Sequence, residues 1–205
     1  VTTAGVDIAE RVYGPDISTL KGKTTRRNRR KPHDDHIEIP QWLIKENREV
    51  ELCIDGADVS GLKFLTSIDT TIRFRGTVYL SSRHHEQYYK AIDRILRQYN
   101  QAGFTITTIH CDPEFQEMIE PIKDDMDINI IPTAAQEHQS EAERNNRTIK
   151  ERFRTAYHRL PYKIIPKEMI KNLVLSVTDQ LNYFPAKGGI SENLSPRVIL
   201  GQGNL

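Results

Sequence analysis

The stretch Val50-Glu51-Leu52-Cys53-Ile54-Asp55 alternates its aliphatic residues with Glu51, Cys53 and Asp55. That is the period-two pattern of a strand, and it puts the Asp55 carboxylate on the face away from Val50, Leu52 and Ile54. Such a strand needs partners, and the sequence supplies them at once. Leu62 to Ile68 reads as a second strand and the cluster Asp69-Thr70-Thr71 as a turn. Ile72, Phe74, Val78 and Leu80, set against Arg73, Arg75, Thr77 and Tyr79, read as a third strand. A three-stranded meander is therefore expected first.

Beyond the meander the period changes. Between Arg83 and Gln101, Tyr88, Ile92, Ile95 and Tyr99 recur at helical spacing and Gly103 follows as a stop signal, which predicts an amphipathic helix. Phe104 to His110 is β-branched and strand-like; it delivers Asp112 at its C-terminal end, where Pro113 ends the ladder. A short helix around Phe115 to Ile122, a brief strand from Ile128 to Ile131, a long charged helix from about Gln139 to Arg159 and a last helix from about Pro166 to Phe184 complete the expectation. On the long helix Ile149, Phe153, Ala156 and Leu160 form an apolar stripe. Glu143, Arg147, Lys150 and Arg154 form a polar stripe about a third of a turn away.

Composition bounds what such a chain does. At 205 residues, 37% of them hydrophobic, one core with extensions is expected. No run nears eighteen apolar residues and the N-terminus has no basic segment leading into an apolar one, so neither a membrane span nor a secretory signal is read. The start at Val1 reads as that of a piece from a longer chain. Cys53 and Cys111 are too few for a disulfide framework or a Cys-rich zinc site, and both read as packing residues in an intracellular protein, as does Trp42. The net charge of +1 hides an uneven distribution. Lys21 to Lys31 holds seven cations in eleven residues and reads as an exposed arm, whether linker, DNA clamp or import signal, while Asp112 to Asp127 is strongly acidic.

Asp55 on the first strand, Asp112 ending the fourth and Glu143 near the start of the long helix are three carboxylates on three rigid elements. Brought together, they would repel unless divalent cations neutralised them. Oxygen ligands without His or Cys favour a hard ion, Mg²⁺ or Mn²⁺. Two such ions imply phosphoryl transfer with no covalent protein nucleophile.

Three segments then carry a resemblance: Asp55 in Glu-Leu-Cys-Ile-Asp, Asp112 in Thr-Ile-His-Cys-Asp-Pro-Glu-Phe, and Glu143 in Ser-Glu-Ala-Glu-Arg-Asn-Asn-Arg-Thr-Ile-Lys-Glu. Together they resemble the D,D,E catalytic core of retroviral and retrotransposon integrases, over roughly residues 48–196. Leu194-Ser195-Pro196-Arg197, and a segment from Tyr13 to Arg26, are similar to stretches found in Ty1/copia-type elements. The resemblance implies an α/β RNase H-like fold, a mixed five-stranded sheet flanked by helices. It implies an N-terminal extension with a basic linker over 1–47, the core over 48–185 and a tail over 186–205. It further implies Asp55, Asp112 and Glu143 as catalytic residues holding two Mg²⁺ (or Mn²⁺) ions, with Asn146, Arg147, Lys150 and Arg154 contacting DNA. The activity implied is processing of DNA 3′ ends and their transfer to target DNA, by a homo-oligomer working in the nucleus and away from membranes.

The sequence departs from that pattern in places. Residues 113–142, thirty in all, separate Asp112 from Glu143, a shorter gap than the family usually has, and Pro113 follows the second Asp. His33 and His36 have ligand-like spacing, but no Cys-x-x-Cys accompanies them and they read as linker residues. Two alternatives stay open: a decayed element that binds nucleic acid without catalysis, and a cellular ribonuclease of the same fold. Two of the acids also have a plain reading: Asp55 as an edge carboxylate with Asp58 as its rival, Glu143 as the i,i+4 partner of Arg147.

Overall fold

The computed structural model describes residues 3–14, 37–113, 115, 123, 128–132 and 140–201. The basic arm, His33, His36, most of the acidic block and most of the helix expected over 115–122 lie outside the described residues, as does nearly all of the Tyr13 to Arg26 segment. The chain divides into two compact units, Val1–Asp35 and His36–Leu205. The described part of the first is helix α1 (Thr3–Tyr13).

The second unit is built on strands β1 (Glu49–Val59), β2 (Leu62–Asp69), β3 (Arg75–Leu80), β4 (Thr105–Cys111) and β5 (Asn129–Pro132), in the spatial order β3-β2-β1-β4-β5. β1, β2 and β3 pair antiparallel, as the meander requires. Ser60 and Gly61, at φ 51° and 78°, make the two-residue turn between β1 and β2, whose left-handed backbone matches the twist of the strands. Helix α3 (His85–Gln101) then carries the chain across the sheet, so that β4 pairs parallel with β1 and β5 parallel with β4. Gly103, at φ 87°, ends that helix as its position predicts.

Alternation sorts the side chains into two layers. Leu52, Ile54, Leu65 and Ile109 meet Tyr88, Ile92, Ile95 and Tyr99 of α3 on one face. On the other, Ala57, Val59 and Phe64 meet Ile149 and Phe153 of α4 (Ser140–His158), with Val174 and Val177 of α5 (Lys167–Leu181). The sheet is thus mixed, five-stranded and helix-covered, as expected.

Some details differ from the sequence reading. β3 starts at Arg75 rather than Ile72, because the Asp69 carboxylate collects the amides of Thr71, Ile72, Arg73 and Phe74, and Arg73 takes a left-handed φ of 66°. Trp42 is 58% exposed instead of packed; its neighbour Leu43 on α2 (Gln41–Glu46) fills the core. Ile199 and Leu200 of α6 (Pro196–Leu200) are core residues too. The core of this unit thus includes residues from α2 and α6. No helix among the described residues is long and apolar enough to cross a membrane.

Candidate active site

Asp55 lies on β1 with its side chain turned to the α4 layer. The backbone amide of Gly56 donates to its Oδ1 at 2.6 Å, and Asn146 Nδ2, from α4, donates to its Oδ2 at 2.5 Å. The same Asn146 amide reaches the Gly56 carbonyl at 3.2 Å, and Asn146 Oδ1 accepts from the Thr66 hydroxyl of β2 at 2.6 Å. Asparagine suits this place because one side chain both donates to a carboxylate and accepts from a hydroxyl. An aspartate there would set like charges together. Asn146 is only 7% exposed, and both ends of its amide are engaged inside the protein.

Asp112 follows the last residue of β4. The final β1/β4 pair is Cys53 with His110. Two residues further on, β1 carries Asp55, while Asp112 lies just past the end of β4, on the face that alternation gives His110. His110 Nε2 and Glu51 Oε2, 3.0 Å apart, already share that face. The Asp112 charge, after burial, helps push the Cys111 thiol up to about 11.

Glu143 is exposed on α4, three residues before Asn146 and so roughly 4.5 Å along the helix axis from it. Asp58, the rival of Asp55, forms a surface ion pair with Arg83 at 2.9 Å. Arg147 and Arg154 are exposed and Lys150 half-buried along the polar stripe.

The structure thus fastens Asp55 to the helix that carries Glu143, and Asp112 follows the strand next to β1. The all-oxygen donor set suits a hard divalent cation. Among the described residues, however, no three Asp, Glu, His or Cys side chains stand close enough to enclose an ion. What unites the region is Asn146, whose part as the brace between Asp55 and Thr66 sequence reasoning missed. The signal for it was available: position 146 falls on the edge of the buried stripe of α4, beside Ile149 and Phe153, where a surface contact residue does not belong.

No protein-family model matches the sequence, and neither does any curated protein. Among solved structures, the chain is similar to a crystal structure of the catalytic core domain of BIV integrase. The TM-score is 0.55 at 15% identity, over 74% of this chain and 93% of that one. At that identity the likeness shows the fold, and the mixed five-stranded sheet with its flanking helices is the RNase H-like arrangement.

Proposed function

We propose that the chain is the catalytic core of an integrase of the Ty1/copia type, which cuts DNA ends and joins their 3′-hydroxyls to target DNA. The observation that carries this reading is the Asp55–Asn146 contact, which ties the central strand to the helix bearing Glu143; Asp112 follows the last residue of β4, the parallel neighbour of β1. Asp55, Asp112 and Glu143 would hold two Mg²⁺ or Mn²⁺ ions, which supply an activated water or hydroxyl and stabilise the leaving oxygen at phosphorus. The chain's own share is placement. Asn146 fixes the orientation of the Asp55 carboxylate, the Gly56 amide holds its second oxygen, and Arg147, Lys150 and Arg154 neutralise the phosphates of DNA lying along α4. Such a core works on DNA in the nucleus, as an assembly of several copies.

The test is to incubate the chain with Mg²⁺ or Mn²⁺ and either a duplex imitating an element end or an RNA–DNA hybrid. The expected result is nicking of the DNA duplex, lost at least a hundredfold in Asp55→Asn, Asp112→Asn and Glu143→Gln. Cutting of the hybrid alone would assign a ribonuclease instead. A second reading, a nucleic-acid-binding module without catalysis, is favoured by the lack of an assembled three-acid group among the described residues. Calorimetric titration with Mn²⁺ separates the two: binding heat that Asp112→Asn abolishes supports the enzyme, and none supports the module.

A further inference from the structure

A cavity of about 560 Å³ opens between α4, the β2–β3 connection and the segment after α5. Six cations line it (Arg73, Arg75, Arg144, Arg147, Arg152 and Lys187), against one carboxylate, Glu141, among the described residues. The whole chain carries a net charge of only +1, so the concentration of charge here is local. Part of it is structural. Arg73 pairs with Glu141 at 2.9 Å, Arg144 reaches the same carboxylate at 3.5 Å, and Arg75 donates to Asn145 Oδ1 at 2.6 Å. Arg147, Arg152 and Lys187 form no ion pair among the described residues and are exposed. The Nε of Arg73 is buried and donates to no acceptor among the described residues.

The cavity continues into a groove between α4 and α5 of about 450 Å³, with Arg152, Leu181 and Phe184 common to both and Arg159 further along. Phe184 at that junction is 73% exposed. An aromatic face that open to water, between cations spaced along a groove, combines the two elements that hold single-stranded nucleic acid: charge for the backbone and a ring on which a base stacks. A small anion would need the charge but not the ring, and an apolar peptide the ring but not the charge.

We infer that this cavity and groove form a track for single-stranded DNA, with phosphates on Arg152 and Lys187 and a base on Phe184. The inference rests on reading the chain as a DNA-handling protein and adds a contact surface separate from the three acids. Strand ends freed from pairing are the form of DNA that fits it.

The experiment measures fluorescence anisotropy of labelled oligo-dT and of a labelled duplex with the full chain in EDTA, where no cutting occurs. Phe184→Ala is expected to weaken oligo-dT binding about tenfold and duplex binding far less. Arg152→Ala with Lys187→Ala is expected to lower the slope of log affinity against log salt for oligo-dT by about 1.4. Unchanged affinity and slope, or an equal loss on duplex and single strand, would overturn the track. Because no metal is present, a chain that cuts DNA yet shows no Phe184 effect refutes the track alone. A chain that shows the Phe184 effect yet cuts nothing refutes the active-site reading alone.

Discussion

Asp69 has no exposed surface, yet its carboxylate gathers five donors: the amides of Thr71, Ile72, Arg73 and Phe74, and the Tyr99 hydroxyl of α3 at 2.6 Å. Burial pushes its pKa above the ordinary carboxylate value, against the pull of Tyr99 and the amides. From sequence this residue is a turn former. That its side chain would run back under the connection to meet a helix thirty residues on depends on a tertiary contact that no local pattern encodes. Asp69→Ala would leave those amides and the hydroxyl buried without an acceptor, so stability should fall by about 3 kcal/mol, read from the midpoint of urea unfolding. A loss below about 1 kcal/mol would mean that water takes over the acceptor's place. Asn146 teaches the same lesson: its residue type was legible as important, but the partner that gives it a role, Asp55, is ninety-one positions away.

Elements were easier to read than partners. The alternation of β1, the helical spacing of Tyr88, Ile92, Ile95 and Tyr99, and the stripe of Ile149 and Phe153 all point to faces that the structure buries. The start of β3 was not legible, because the pattern of Ile72 and Phe74 reflects burial in a looped connection and not in a ladder. The basic cavity was hidden for a similar reason: its cations come from the β2–β3 connection, α4 and the segment after α5, and no window of sequence contains them together. Cys53 on β1 and Cys111 on β4 report on two different layers, since Cys53 packs with Ala142 of α4 and Cys111 belongs to the α3 core. Burial pushes both thiols up from 9.0 to about 11. The folded chain therefore keeps its thiol protons where the unfolded chain gives them up, so this contribution to stability is full below pH 9 and is lost as pH rises through 11. Thiolate absorbance near 240 nm should show a midpoint near pH 11 in the native chain and near 9 in denaturant. A native midpoint near 9 would mean that neither layer shields its thiol.

For the whole molecule, the unit that folds is set by its core, and that core draws Leu43 from one end and Ile199 with Leu200 from the other. A chain cut after Leu194 loses α6, with Val198, Ile199 and Leu200, and should lose about 3 kcal/mol or more, measured by calorimetry. The brevity of β5 has its own consequence. Its four residues end in Pro132, which has no amide hydrogen, so this rim of the sheet offers a foreign strand too few donors for fibre-like stacking of one copy on the next.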